Sequence, residues 1–494
     1  MKCKLLIILL LISISGFSQT HNLKEIEKIK FKPFSQKNLP ATKSLVNENG
    51  YYFLETEKKK KKGIYTLHHY NINLELVKSK EINISFNLDQ RKIIHFTQMG
   101  DKILVFESLT QKEKKTKSIK MSTYDPISLE KTAESKIIFK SIYQGASKRA
   151  NRYHFSKSPN SKFLLICESN YKPKNKREIG ITILNEEREN IYTEKIPVKS
   201  KRYFILQNIL ISDLGEAYIF QKWCNVVGIH PYSKTGYKLD FRDVWYHRKG
   251  KIEYYIHKIT KERKTVAKLN LNKNIKELHM NFDLNQIPFF MGFNFKKNYK
   301  GVILINTDGN NFDEKNLNYN YFNYSDNKNY SSLLDKQYGR SAHRTLRLRN
   351  IFQKPNGNYI IIGEEGYQNT PEVTYSKIHY YTNYSMIISE INNQHGDVWS
   401  HLIKKRNSTN INHPKSFFLF NSNNEIFLLY NKSKESFNMT YINEDGKIKT
   451  NPFRKYSCST FPTKNVKISD EEFLILINRK KGELELAKFQ VIIN

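Results

Sequence analysis

The sequence predicts an all-β chain folded as a β-propeller of about eight four-stranded blades, with seven as the alternative count. Three observations carry this. A unit of tight turn, buried strand, loop and further strands recurs along the chain. The turns fall mostly about 45 to 65 residues apart, close to the roughly 40 to 50 of a four-stranded blade with modest insertions. Helical periodicity of any length is missing. Such a unit cannot bury both of its faces alone, so neighbours must stack around an axis and leave only short, protected edges.

The first unit opens at the turn Asn49-Gly50 and continues through strands at 51–54, 64–70 and 74–82. The second turns at Gly100-Asp101 into 103–106, 119–124 and 129–138. The third turns at Ser158-Pro159-Asn160 into 163–167, 179–184 and 191–196. Short unbroken apolar runs bounded by turn residues are what strands buried on both faces look like. Later turns at Asp213-Leu214-Gly215, Pro355-Asn356-Gly357, Asn423-Asn424 and Asp470-Glu471 each precede a comparable strand. Between them, 289–295 and 301–305 supply a unit with a less regular turn. The last unit, 467–492, lacks its outer strand. Residues 25–34 are expected to provide it, so that N- and C-terminal strands close the ring within one blade.

The chain begins with Met1, Lys2 and Lys4, an apolar run over 5–14, and the small residues Gly16 and Ser18 before Gln19. This is the pattern of a secretory signal peptide over 1–18, followed by a single domain over 19–494. The expected location is therefore periplasmic or extracellular. The apolar run is shorter than the about 20 residues that span a bilayer, and no later stretch is long enough, so no transmembrane segment is expected after cleavage. Three cysteines then remain, Cys167, Cys224 and Cys458. An odd number of widely separated thiols in a domain this large argues against a disulfide framework, and Cys167 reads as a small core residue at the end of its strand.

Lysine and arginine total 82 against 47 acidic residues, a net charge of +35. Lysine outnumbers arginine by about four to one, as AT-rich codons alone would produce. Export separates the chain from the cell's nucleic acid, and base-reading or RNA-binding motifs are absent, so no nucleic acid is expected as partner. An envelope or extracellular glycan, peptide or protein, above all an anionic one, fits the long-range field.

Ser158-Pro159-Asn160 followed by a buried strand resembles the Ser-Pro-Asp-Gly turn of WD40-like propeller repeats in exported bacterial proteins. Gly396-Asp397-Val398-Trp399 resembles the Gly- and Trp-bearing ending of quinoprotein-type propeller repeats. With 357–365, that segment is also similar to a group of exported envelope proteins of Gram-negative bacteria. Each match occurs once, over a few residues; the general blade plan covers about residues 44–494, without the Gly-His and Trp-Asp pairs of true WD40 repeats. The resemblance implies no cofactor, because one copy of the quinoprotein ending builds no quinone site, and it brings no activity with it.

In a blade, the loops from second to third strand and from the fourth strand to the next blade lie on one face. That face is expected to collect basic runs: Lys58 to Lys62, then Lys112, Lys114, Lys115 and Lys117, then Lys172, Lys174, Lys176 and Arg177. Each run alone is what a solvated loop looks like. Aromatic insertions fall on the same face. The loop of the fourth unit carries Trp223, His230, Tyr232, Trp245 and His247, and that of the sixth carries Tyr367, Tyr375, Tyr380 and Tyr381. The connection before the sixth unit carries Arg340, His343, Arg344, Arg347 and Arg349. Tyr and Trp offer flat apolar area with a polar tip, Arg forks onto carboxylate or sulfate, and His tunes charge near neutral pH. The candidate ligand-binding set is Trp223, His230, Tyr232, Trp245, His247, Arg340, His343, Arg344, Tyr367, Tyr375, Tyr380 and Tyr381.

Catalytic motifs are absent: there is no Gly-x-Ser-x-Gly elbow, no His-Glu-x-x-His pair and no Gly-rich phosphate loop. No metal site is expected. Asn306-Thr307-Asp308-Gly309-Asn310 lacks the register of a calcium loop, and His68-His69 on a strand point to opposite faces. Glu364-Glu365 follows a buried strand and is expected to place one carboxylate near the mouth of the propeller. Carboxylates from different blades leave no local motif. The sequence thus predicts a non-catalytic binding propeller, with a carbohydrate-active hydrolase or lyase in the central funnel as the alternative.

Overall fold

The structure, a computed structural model, describes residues 21–31, 43–59, 62–84, 90–111, 114, 116–142, 151–170, 177–198, 203–225, 251–271, 275–295, 299–307, 317–323, 345–369, 380–394, 396–409, 417–422, 424–431, 436–455, 459–460, 466–469, 471–478 and 484–493. The described residues form eight antiparallel sheets and no helix.

Sheet one holds Lys43–Asn47, Gly50–Lys59, Lys62–Tyr70 and Leu76–Ile84; sheet two holds Gln90–Met99, Lys102–Gln111, Thr116–Tyr124 and Lys131–Ile142. Sheet three holds Asn151–Lys157, Leu164–Asn170, Arg177–Leu184 and Asn190–Val198. Sheet four holds Tyr203–Ile211, Ala217–Asn225, Lys251–Ile259 and Lys264–Leu269. Sheet five holds Ile275–Phe282, Pro288–Phe295, Tyr299–Asn306 and Asn318–Asn323. Sheet six holds Thr345–Gln353, Tyr359–Asn369, Tyr380–Asn392 and Gly396–Thr409. In each, the strands pair in chain order, which is the up-and-down blade of a β-propeller. These six sheets belong to one compact unit, essentially residues 35–416.

A second unit combines 1–34, 417–431 and 435–494. It contains sheet seven (Phe417–Ser422, Glu425–Asn431, Ser436–Ile442, Ile448–Lys455) and a composite sheet eight. In sheet eight, Ser459–Thr460 and Val466–Lys467 both pair with Glu472–Asn478, which pairs with Leu484–Ile493. The fourth position is taken by His21–Phe31, with Leu23 opposite Val491 and Ile29 opposite Leu486. The chain's two terminal segments therefore share one sheet, as the missing outer strand required, and the sheet count is eight rather than seven.

The apolar runs bury because a strand sends alternate side chains to opposite faces, and here both faces are covered. Leu164 and Ile166 pack with Leu104, Phe106 and Met121 of sheet two. Their neighbours Leu165 and Cys167 pack with Ile209, Ile219 and Ile259 of sheet four. The same alternation joins sheets one and two, four and five, and five and six, and in the second unit seven and eight. Each such Leu or Ile, fully buried, stabilises by about 1.5–3 kcal/mol. Cys167 is a core residue as expected, and burial pushes its thiol pKa well above the usual range.

Tight turns join first to second strands. Gly50 has φ +124°, and a Cβ there would strike the carbonyl oxygen of Tyr70, so only glycine fits. The turns also bond across sheets three to six. Asn160 N donates to Asp213 Oδ1 at 2.7 Å, Asp213 N to Gln286 Oε1 at 2.6 Å, and Leu284 N to Gln353 Oε1 at 2.9 Å. Asn208 and Asn281 each donate a side-chain N–H to the first strand of the next sheet, at Met280 O and Ile351 O.

Candidate functional site

The ends of the sheets opposite the tight turns carry the segments in which the sequence places the candidate ligand-binding residues. His230, Tyr232, Trp245, His247, Arg340, His343, Arg344 and Tyr375 lie outside the described residues, as do Lys112, Lys115, Lys172, Lys174 and Lys176. The remaining candidates are strand residues, not loop residues. Trp223 ends the second strand of sheet four, Tyr367 lies on the second strand of sheet six, and Tyr380 and Tyr381 open its third. Gln368 stands opposite Tyr381 and Asn369 opposite Tyr380. Cross-strand hydrogen bonding therefore continues into what the sequence alone suggested was loop. Lys58, Lys59, Lys62, Lys117, Arg177, Arg347 and Arg349 are likewise in strands. Lys117 sets its Nζ 4.8 Å from the Tyr153 ring centroid of sheet three, a cation–π contact rather than a solvated run.

Trp223 is half-buried against the seam of sheets three and four. Its indole N–H donates to Oε1 of the fully buried Gln221 at 2.9 Å, and its ring lies 4.2 Å from that of Tyr255 on the neighbouring strand. Tyr255 in turn donates to Glu253 Oε2, whose other oxygen receives Lys268 Nζ at 3.0 Å. A preformed aromatic pair on a buried polar base thus stands where the chain enters residues 226–250.

Sheet six presents a second polar group. Of the pair expected to place one carboxylate near the mouth, Glu364 is wholly buried between two cations, and the side chain of Glu365 lies outside the described residues. Its Oε2 accepts Arg349 Nε at 3.0 Å and its Oε1 accepts Lys405 Nζ at 2.5 Å. A carboxylate on a strand interior is retained there because opposite charge compensates its desolvation. Burial pushes the Lys405 ammonium pKa below its usual range, and Glu364 opposes that shift. Arg349 reaches this position from a bulge between Leu348 and Asn350 in the first strand. The same bulge occurs in sheets two, four and five, where Ile94, Gln207 and Lys276 occupy it. Sequence reasoning named Arg349 and Glu364 separately but missed Lys405, which lies 41 residues beyond Glu364.

At the turn end of sheet six, Lys354 and Glu390 form a further buried pair at 2.8 Å. Asn358 Nδ2 donates to the second Glu390 oxygen at 2.6 Å, and Asn392 supports Asn358 at 2.9 Å. Here charges cancel and both carboxylate oxygens are occupied, the arrangement of a structural staple.

Among other singled-out residues, His68 and His69 do point to opposite faces. His68 bonds Glu55 and Ser79, while His69 is buried, stacked on Tyr52 at 4.5 Å and bonded to Asn49 O. Asp308 to Asn310 of the polar turn lie outside the described residues. Among the described residues no group of His, Cys, Asp or Glu is arranged to hold a metal ion, and no helix is long and apolar enough to cross a membrane.

No protein-family profile and no curated protein matches the chain. Solved structures similar to it include the WD40 domain of SCAP from fission yeast, at 11% identity and TM-score 0.38, covering 95% of this chain and 98% of that one. The β-propeller domain of the Trilobed protease from Pyrococcus furiosus is similar at 11% identity and TM-score 0.33, over 88% and 97%. An α-L-arabinofuranosidase from Fusarium graminearum is similar at 9% identity and TM-score 0.32, over 70% and 95%. No residue role passes from these proteins to this chain.

Proposed function

We propose that the protein is a non-catalytic exported binding protein. It holds an anionic glycan, peptide or protein of the envelope or exterior through the sheet ends opposite the tight turns. The observation that supports this reading is the distribution of charge in the larger unit. Its described tight turns (48–49, 71–75, 100–101, 125–130, 158–163, 185–189, 212–216, 260–263, 283–287, 354–358 and 393–394) contain 12 acidic and 5 basic residues. The stretches of sequence that connect its strands otherwise, nearly all outside the described residues, contain 26 basic and 7 acidic residues. A compositional bias toward lysine acts on all turns alike and does not reverse the sign at one end. A field polarised in this way draws an anion to one end and repels it from the other.

The aromatic pair Trp223–Tyr255 at the basic end supplies flat apolar area beside that charge. The buried carboxylates Glu364 and Glu390 are each held by a lysine, which suits positioning and stability rather than proton donation. The reading expects Trp245→Ala or Arg344→Ala to weaken binding of an acidic polysaccharide by about tenfold or more while the unfolding midpoint stays put. Glu187→Lys, on the turn end, leaves that binding unchanged. Equal affinity in wild type and both loop variants removes the proposed site.

A further inference from the structure

Going beyond the binding reading, we infer that Ser79 on sheet one is a nucleophilic acylation site. It takes up a single acyl group from a small activated ester, with His68 as its base and Glu55 as the residue that positions that base. The anionic partner is not consumed, so the step is independent of the ligand-binding end.

Three observations carry the assignment. First, the three side chains form one hydrogen-bonded relay. Ser79 Oγ lies 2.8 Å from His68 Nδ1, and His68 Nε2 lies 3.1 Å from Glu55 Oε2. A carboxylate only accepts, so Nε2 carries the ring proton; the neutral ring then accepts at Nδ1, and the Ser79 hydroxyl donates to it. A nucleophile within reach of a base that a third group orients is the arrangement that activates serine. It is recognised by geometry and roles, not by sequence order.

Second, strand pairing builds the relay. Glu55, His68 and Ser79 sit on the second, third and fourth strands of sheet one. Ser79 stands directly opposite His68, and on the other side His68 stands opposite Phe53, whose next neighbour along the same face is Glu55. Opposed and diagonal residues of paired strands share a face, so the ladder itself holds the three side chains together.

Third, the members differ in exposure in the sense the chemistry needs. The side chains of His68 and Glu55 are 19% and 24% exposed, whereas Ser79 is open to solvent. The base and its partner are shielded and the nucleophile is reachable. No strand pairs with the far side of Leu76–Ile84 among the described residues. Backbone N–H groups on that side, on or beside Ser79, are donors of the kind that hold the oxyanion of an acyl-transfer intermediate. The adjacent His69 shows the alternative, a buried ring stacked on Tyr52 with its Nε2 on Asn49 O.

In the step, Ser79 Oγ forms a bond to the acyl carbon and the bond from that carbon to the leaving phenoxide, alkoxide or thiolate breaks. The Oγ proton passes through His68 Nδ1 to the leaving group, and the Glu55 carboxylate faces the imidazolium formed on the way.

The test treats the protein with p-nitrophenyl acetate and with a fluorophosphonate, then maps the adduct by peptide mass spectrometry. Wild type is expected to carry a single adduct, on Ser79, and none when unfolded in urea. Ser79→Ala is expected to carry none. His68→Ala is expected to slow labelling by about 100-fold or more. Glu55→Gln is expected to slow it by about tenfold or more with an unchanged unfolding midpoint. Glu55→Gln should also remove the Nε2–H signature of His68 in its 15N spectrum, which a merely structural role would not move. If a variant unfolds early, the adduct map of wild type decides. Wild type without an adduct, or with its adduct on another residue, overturns the assignment, as does Ser79 labelled equally fast in wild type and His68→Ala. Neither result bears on the binding reading, which stands or falls on retention by acidic polysaccharide.

Discussion

The ring of Phe139, on the fourth strand of sheet two, occupies the space that a side chain on Gly180 of sheet three would fill. Gly180 stands opposite Glu168 on one side and Lys195 on the other, so the socket lies within a continuous ladder. A methyl group at this position would meet the ring itself. Gly180→Ala is therefore expected to destabilise the larger unit by about 1–3 kcal/mol through overpacking. Urea unfolding checks it, and Gly180→Ala combined with Phe139→Leu should recover part of the loss. An unchanged urea midpoint for Gly180→Ala would show that the two sheets do not meet this closely.

Asp213 links three turns. It accepts Asn160 N at 2.7 Å and the Gln286 side-chain N–H, and donates its own N–H to Gln286 Oε1 at 2.6 Å. Asp213→Ala removes two acceptors and is expected to lower stability by about 1–3 kcal/mol. Hydrogen exchange should locate the effect, with faster exchange at Asn160 and no change in sheet two.

The Lys354–Glu390 pair predicts a larger loss. Lys354→Ala leaves a carboxylate that is 1% exposed without its cation, and breaking a buried pair in this way costs about 3–5 kcal/mol. Thermal unfolding is the readout. A change below about 1 kcal/mol would mean that water or another cation reaches Glu390.

His257 is buried at 6% exposure in the seam of sheets three and four, and neither ring nitrogen has a partner among the described residues. Burial lowers its pKa to about 4, with Lys264 adding to the shift and Glu194 opposing it. The folded value lies below the unfolded one of about 6.5, so stability is intact above pH 6.5 and falls as pH drops toward 4, by up to about 3 kcal/mol. His257→Phe is expected to flatten that slope. An unfolding free energy with the same pH dependence in wild type and variant would contradict it.

The sheet repeat was legible because second and third strands are buried on both faces and read as short apolar runs, as at Ile103 to Phe106. The tight turns were legible for a backbone reason, seen at Gly50 and Gly357, both with positive φ. First strands were harder to read, because bulges at Ile94, Gln207, Lys276 and Arg349 break the alternation. Strand ends were underestimated at Trp223, Tyr367, Tyr380 and Tyr381, where backbone pairing continues through polar sequence. The Arg349–Glu364–Lys405 group was not legible as a group. Its members come from the first, second and fourth strands of one sheet, and Lys405 is one lysine among many.

The central proposal is that the basic and aromatic sheet ends of the larger unit bind a specific anionic partner without turning it over. Its most direct test incubates residues 19–494 with a glycan array and a panel of envelope polysaccharides at low and high salt, reading retention and released product together. The account predicts salt-resistant retention on acidic members of the panel and no product. Release of shortened saccharides would contradict it in favour of a hydrolase or lyase, and retention that vanishes entirely at high salt would reduce the surface to a nonspecific cation.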